Sequence, residues 1–177
     1  MESMDLPRRP PSLRLFLALW PDAALRAAMA QWQQAWTWPG GARVVAAAQL
    51  HLTLHFLGNA DAARLPALRA GLRVHGEPFE LELCQTKVWP GGVAVLQPQR
   101  TPPALLGLHA RLADALAALD FAPERRRYRP HITLARRADG ATPPAAAAAF
   151  SWRADGDYVL VRSRSDGAGY EVLERFS

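Results

Sequence analysis

The stretches HLTLHFLG, residues 51–58, and HITL, residues 131–134, decide the fold of this 177-residue chain. Both alternate polar and apolar residues with the period of two that is typical of a β-strand. In each copy the alternation places the histidine and the threonine on one face and the apolar residues on the other. A His-x-Thr pair found twice among five histidines and six threonines is improbable by chance. We therefore interpret the two stretches as equivalent strands.

The segments around these strands predict an α+β domain with a largely antiparallel sheet. Apolar residues at helical spacing predict helices over residues 22–36, 64–74 and 101–119. Alternating runs bounded by turn residues predict strands over residues 13–20, 79–88, 93–97, 157–163 and 170–176, and a short β-prone run predicts a further strand over residues 42–46. We expect a single domain over residues 12–177, preceded by a flexible, proline-containing tail at residues 1–11.

The composition limits the class of protein. A formal charge of +5 makes an anionic partner plausible. Of 21 basic residues only Lys87 is a lysine; arginine suits phosphate binding, although a genome-wide bias would give the same count. Cys84 is the only cysteine, which excludes an internal disulfide and a thiolate-rich metal site and fits the cytoplasm. No apolar run has the length of a membrane span, and without a coiled-coil seam we expect a monomer.

Two histidines and two threonines that meet in one cleft suit substitution at phosphorus. If the two strands lie side by side about a pseudo-two-fold axis, His51, Thr53, His131 and Thr133 converge. One neutral imidazole can take a proton from the attacking group while the other, protonated, gives one to the departing oxygen. The ordinary histidine pKa of about 6.5 makes both forms accessible near neutrality. The hydroxyls can bond the phosphoryl oxygens, so the chemistry calls for no metal or other cofactor.

The sequence also resembles a known family in segments that run along nearly the whole chain. They are RLFLALWPD at residues 14–22, Arg43, HLTLHFLG at residues 51–58, RPHITLAR at residues 129–136 and the closing pattern S…GAGYEVLERF from Ser163. In this order they resemble the two-histidine phosphoesterase superfamily and, within it, the LigT-like RNA 2′,3′-cyclic phosphodiesterases.

The resemblance implies a bilobed, duplicated fold in which two largely antiparallel sheets flank a central cleft and the helices pack outside. It implies hydrolysis of RNA or nucleotide 2′,3′-cyclic phosphates to 2′-phosphates without a metal. It also implies that His51 is the proton donor to the leaving 3′-oxygen and that His131 is the proton acceptor acting on water. The spacing of the two motifs alone does not assign these two roles.

The predicted substrate-binding residues lie beside the two motifs. The resemblance favours Arg136 as a phosphate ligand, whereas strict alternation puts Arg129 on the His131 face; we follow the resemblance because strand ends often lose strict alternation. Tyr128 lies within an arginine-rich segment next to the proposed phosphate site. His55 shares the face of His51 by alternation, and we expect it at the rim of the cleft. His109 has no threonine partner, which favours a helix-surface position.

Two other functions stay open at this point. The same residues could cleave or reversibly ligate 2′-5′ phosphodiester linkages, which is a different bond with the same chemistry. A protein of this fold could also bind RNA or nucleotides without catalysis. Both histidines are present, which favours the enzyme over the binding protein.

Overall fold

The computed structural model describes residues 11–122, 124–164 and 169–177. Within these residues it contains nine strands and three α-helices. The strands are β1 (Ser12–Leu19), β2 (Arg43–Val44), β3 (Leu52–Asp61), β4 (Phe79–Trp89), β5 (Val93–Pro98), β6 (Ile132–Arg136), β7 (Phe150–Ala154), β8 (Tyr158–Ser163) and β9 (Tyr170–Phe176). The helices are α1 (Ala23–Gln33), α2 (Leu65–Gly71) and α3 (Pro103–Ala118). Apart from Pro11, the predicted tail lies outside the described residues.

The three helices form where the apolar spacing predicts them, and local signals explain where they begin. The Asp22 carboxylate accepts a hydrogen bond of 2.7 Å from the Leu25 amide and so caps α1. Proline occupies the first turn of both α2 and α3, where its missing amide hydrogen costs nothing. The buried residues of α3 form one stripe, consisting of Leu105, Leu108, Leu112 and Leu116.

The described strands form one sheet in the order β7-β4-β5-β6-β3-β1-β8-β9, with β2 paired to β6. Each pairing between neighbouring strands is antiparallel. The sheet has two halves of matching order. We call β3-β1-β8-β9 the first half-sheet and β6-β5-β4-β7, with β2, the second half-sheet. The strand–helix–strand unit β1–α1–β3 thus corresponds to β5–α3–β6, which agrees with the predicted duplicated, bilobed α+β fold.

The two half-sheets meet at a single pair of residues, Leu52 of β3 and Ile132 of β6. These are the middle residues of the two His-x-Thr motifs, 80 positions apart in the chain. A pairing between equivalent residues places the pseudo-two-fold axis at this point. The two motifs therefore lie on either side of the junction of the half-sheets.

The two faces of the sheet have different surroundings. The helix-covered face carries the main apolar core, which includes Leu17, Leu52 and Leu54 from β1 and β3. The opposite face carries a small separate cluster of Phe16, Ala18, Val159 and Val161. Alternation along β1 divides its residues between these two clusters. The side of the sheet away from the helices is thus left open for a site.

One strand, β7, was not predicted from the sequence. It follows an Ala- and Pro-rich segment at residues 141–149 and pairs with β4 at the edge of the second half-sheet. The alternation in β7 extends over few residues: Trp152 and Ala154 are buried, while Ser151 and Arg153 are exposed. In the described part of the chain, no helix is long and apolar enough to span a bilayer.

Candidate active site

A cleft of about 1090 Å³ opens where the two half-sheets meet, and both His-x-Thr motifs line it. His51 and Thr53 reach it from the first half-sheet, and His131 and Thr133 from the second. The intervening Leu52 and Ile132 are fully buried in the core on the other face. The structure therefore brings together the four residues that the sequence predicts to converge.

The two histidines have the same local geometry. Nδ1 of His51 lies 2.6 Å from the carbonyl oxygen of Gln49, and Nδ1 of His131 lies 2.7 Å from that of Arg129. A carbonyl oxygen only accepts, so each Nδ1 carries the hydrogen and donates it. In the neutral ring Nε2 then keeps a lone pair, and in the charged ring it carries a proton. Each imidazole is thus oriented to exchange a proton through Nε2.

Aromatic rings surround His51. Trp20 stacks on its imidazole with a centroid distance of 5.0 Å and an interplanar angle of 6°. Phe16 lies at 5.0 Å, and Tyr170 meets the imidazole edge-on at 5.1 Å. This burial, with smaller contributions from the charges of His131 and Arg136, lowers the pKa of His51 to about 4. His51 is therefore neutral near pH 7.

His131 has a less apolar environment. Trp89 packs against its ring at 4.5 Å, and the guanidinium of Arg129 lies 5.1 Å above the Trp89 ring. Burial is the largest cause that lowers the pKa of His131, followed by the charges of Arg136 and Arg129, while the Glu124 carboxylate opposes them. His131 is therefore also mainly neutral near pH 7.

A β-bulge follows each motif and changes which side chains reach the cleft. In β3, Leu17 pairs with His55 and Ala18 with Thr53, so Leu54 has no partner on β1. Such an extra residue reverses the phase of alternation beyond it. The predicted rim position of His55 is therefore wrong: its side chain is 4% exposed and lies on the core side. Phe56, 58% exposed, lines the cleft in its place.

The bulge in β6 has the same consequence for Arg136. Ala94 pairs with Ala135 and Val95 with Thr133, so Leu134 is the extra residue. Leu134 and Ala135 are both buried in the core, and Arg136 returns to the cleft face. Arg129 lines the cleft as well. The resemblance favoured Arg136 at the phosphate, whereas strict alternation favoured Arg129. Both arginines line the cleft, because alternation does not hold through the bulge.

The walls of the cleft are basic. Glu124 is the one acidic residue among the described residues that line it. The arginines that line it are Arg14, Arg126, Arg127, Arg129 and Arg136. This excess of positive charge attracts anions. Among the residues described, no group of three His, Cys, Asp or Glu side chains is arranged to hold a metal ion.

Tyr128 and His109 form part of a stack of three rings beside the cleft. His109 of α3 lies between His55 and Tyr128, with centroid distances of 4.0 Å and 3.8 Å. Burial raises the pKa of the Tyr128 phenol, which stays protonated and donates a hydrogen bond of 3.3 Å to the Thr53 carbonyl. Both His109 and Tyr128 line the cleft. The predicted surface position of His109 is therefore wrong.

The aromatic residues around the two catalytic candidates were missed in the sequence. Phe16 and Trp20 could have been found, because they alternate along β1 with the core residues Leu15, Leu17 and Leu19. Trp89 and Tyr170 come from strand ends far away in the chain, and no local pattern points to them. Sequence periodicity finds residues of one strand, whereas these contacts depend on which strands pair.

Comparison with known proteins agrees with this geometry. Residues 20–167 match the family model of the 2′-5′ RNA ligase superfamily. The chain belongs to the 2′-5′ RNA ligase superfamily. This confirms the family resemblance inferred from the motifs, and the match spans both of them.

The proteins that resemble this member of the 2′-5′ RNA ligase superfamily include two named RNA 2′,3′-cyclic phosphodiesterase. The enzyme of that name from Escherichia coli K12 is 35% identical over 144 residues, 78% of this chain and 80% of that protein. The one from Thermus thermophilus is 34% identical over 179 residues, 93% of this chain and 90% of that protein. The crystal structure of E. coli LigT with 3′-AMP superimposes with a TM-score of 0.82 at 30% identity, over 94% of this chain and 98% of that one.

Proposed function

We propose that this protein hydrolyses RNA or nucleotide 2′,3′-cyclic phosphates to 2′-phosphates, with His131 as general base and His51 as general acid. The observation that carries the proposal is the pair of equally oriented imidazoles related by a pseudo-two-fold axis across one cleft. In-line displacement needs an acid and a base on opposite sides of phosphorus. The likeness to two RNA 2′,3′-cyclic phosphodiesterases supports the same substrate class.

The reaction balances with these two groups. As the water oxygen bonds to phosphorus, Nε2 of His131 takes a proton from the water. The bond from phosphorus to the 3′-oxygen breaks, and that oxygen takes the proton from Nε2 of His51. The bond to the 2′-oxygen remains, so the product is a 2′-phosphate. His131 leaves the step charged and His51 neutral, and proton exchange with solvent restores both.

Substrate binding makes the protonation of His51 favourable, and the proton itself comes from solvent. Without a neighbouring anion the pKa of His51 is about 4 because its aromatic surroundings exclude water. A bound cyclic phosphate brings a negative charge next to the ring and raises this pKa. The acid is therefore protonated mainly when a phosphate is present.

The other cleft residues have supporting roles in this proposal. Thr53 and Thr133 donate hydrogen bonds to the non-bridging phosphoryl oxygens, and Arg136 balances the charge that develops there. Arg129, Tyr128 and the arginine-rich wall hold the RNA end. The exposed ring of Phe56 offers a surface on which a base can stack. His55 has no contact with substrate in this scheme, because it lies on the core side.

Ligation or cleavage of 2′-5′ linkages is the second candidate function, and the large volume of the cleft supports it. A volume of about 1090 Å³ is at the upper end of small-molecule pockets. It leaves room for a second nucleoside, whose 5′-hydroxyl would take the place of the water. The roles of His51 and His131 would be unchanged.

The test is incubation of the EDTA-treated protein with a nucleoside 2′,3′-cyclic phosphate and with a short RNA ending in one, followed by identification of the product isomer. We expect only the 2′-phosphate. A 3′-phosphate product would contradict the assigned leaving group. No turnover by folded protein would favour 2′-5′ linkages or binding without catalysis.

A further inference from the structure

The two bulges that follow the His-x-Thr motifs share a second feature. An extra residue in a strand leaves backbone groups outside the regular ladder, and buried carbonyl oxygens need a donor. Leu54 and Leu134 are the extra residues, and both are buried. In each case a polar side chain from a helix lies against the carbonyl of the extra residue. Neither helix residue belongs to a recognised motif.

The Leu134 carbonyl in β6 accepts two hydrogen bonds. The Val45 amide donates one at 2.8 Å, and Nε2 of Gln33 donates the other at 2.9 Å. Nε2 of Gln33 also lies 3.2 Å from the Val45 carbonyl. With carbonyl oxygens as both neighbours, only the amide nitrogen of Gln33 can occupy this place. Gln33 ends α1 and is 2% exposed, and it is one of two buried polar residues among those described.

The Leu54 carbonyl in β3 faces an equivalent side chain. It lies close enough to the ring of His109, on α3, to favour the protonated form of that ring. His55 and Tyr128 hold the His109 ring from both sides, and the Tyr128 hydroxyl donates to the preceding carbonyl, that of Thr53. A polar side chain from the helix of each repeated unit thus meets the bulge of the other unit.

We propose that Gln33 and His109 are matched positioning residues, each of which holds the bulge that turns one binding side chain into the cleft. Gln33 holds the Leu134 bulge and so places Arg136, and His109 holds the Leu54 bulge and so places Phe56. Without the bulge, regular alternation would turn Arg136 and Phe56 towards the core face. This inference rests on the proposed function, in which Arg136 binds phosphate.

The proposal makes the contribution of Gln33 depend on that of Arg136. Gln33→Met keeps the length of the side chain and removes the donor. We expect it to lower kcat/KM by about 5- to 10-fold, mainly through KM, because it affects a binding residue. In an Arg136→Gln background the same change should alter kcat/KM by less than about 2-fold, since coupled residues are non-additive. Gln31→Met, exposed on the same helix, is the matched control and should have no effect.

A purely structural role predicts a different result. If Gln33→Met lowered the melting temperature but left KM unchanged, or if its effect were fully additive with that of Arg136→Gln, the proposal would be wrong. Assays are run at a temperature at which circular dichroism shows each variant to be folded. If Gln33→Met does not fold, His109→Phe tests the same idea in the other half-sheet, because it keeps the ring stack and removes the donor. Its effect must then vanish in a Phe56→Ala background.

Binding of a nucleoside 2′-phosphate separates this inference from the proposed function. Calorimetry should show weaker binding for Gln33→Met and Arg136→Gln, and no further weakening in the double variant. If wild-type protein turns over no cyclic phosphate but shows this pattern, the proposed reaction fails and the positioning role stands. If wild-type protein is active and the pattern is absent, the positioning role fails alone.

Discussion

Leu52 pairs with Ile132 at the only register position shared by β3 and β6 among the described residues. Each residue is the middle of a His-x-Thr motif, so the pairing of two apolar residues on the core face brings the two polar faces together on the other side. The grouping of the two histidines and two threonines in one cleft is thus a consequence of where the equivalent strands β3 and β6 pair. A shift of this register by one residue would place the two histidines on opposite faces of the sheet, so that only one of them could reach the cleft.

The first prediction concerns the two imidazoles. His51→Ala and His131→Ala should each lower kcat on a nucleoside 2′,3′-cyclic phosphate by about 10²-fold or more, because each removes one proton-transfer group. His75→Ala is the matched control, since His75 does not line the cleft, and it should retain wild-type activity. Full activity of His131→Ala in a steady-state assay would rule out the assigned base.

The pH dependence follows from the lowered histidine pKa values. The proposed mechanism needs a charged His51 and a neutral His131, and burial lowers the pKa of both below 6.5 in the free protein. The optimum of kcat/KM, which reports the free enzyme, should therefore lie below pH 6.5. Bound phosphate raises both pKa values, so the optimum of kcat should lie at higher pH. A flat profile of both parameters between pH 5 and 9 would exclude paired histidine catalysis.

Adjacent arginines provide a matched test of the phosphate site. Arg136 lines the cleft, and Arg137 does not. Arg136→Gln should raise KM by about 10-fold and reduce the dependence of binding on salt, because one contact with phosphate is lost. Arg137→Gln removes the same charge one residue farther on and should change KM by less than about 2-fold. If the two variants changed KM equally between 50 and 200 mM salt, Arg136 would act only through the overall positive charge of the surface and not through a direct contact with phosphate.

The aromatic residues should control the histidine pKa values one at a time. Trp20 stacks on His51 and Trp89 packs against His131. Trp20→Ala admits water and should raise the pKa of His51 towards 6.5, with little change at His131. Trp89→Ala should raise the pKa of His131 towards 6.5, with little change at His51. Proton NMR titration of the imidazole Cε1–H signals measures both shifts, and each variant is the control for the other.

Stability should fall as the pH falls from 6.5 to about 4. The pKa values of four histidines are lowered in the folded protein: His51, His55, His109 and His131. Below pH 6.5 the unfolded chain therefore binds more protons than the folded one, so the free energy of unfolding decreases. The stabilisation that these four histidines contribute is fully present above pH 6.5 and is lost as the pH falls towards 4. Urea titrations at several pH values across this range measure how the free energy of unfolding depends on pH. In His109→Phe this dependence should be less steep than in the wild type, by up to one bound proton.

Much of the fold was predictable because its signals are local. Apolar stripes predicted the three helices, and alternation predicted the strands other than β7, whose run is short and lies at an edge. The repeat of His-x-Thr predicted the junction of the two halves, since equivalent strands of a duplication tend to meet at their symmetry axis. The four residues of the two motifs needed no further information.

The sequence by itself determined the secondary structure apart from β7, and it placed His51 with Thr53, and His131 with Thr133, on one face of each strand, because these depend on spacing along one segment. The repeat of the motif indicated the duplication and so predicted that the four residues converge where the two strands pair. Only the tertiary structure decided the rest. It decided that His55 is buried and that Phe56 and Arg136 face the cleft. A bulge is defined by the pairing with the partner strand, so it cannot be recognised in the polar and apolar pattern of the sequence. It also decided that His51 is neutral at rest, because desolvation by Trp20, Phe16 and Tyr170 depends on rings brought from distant parts of the chain.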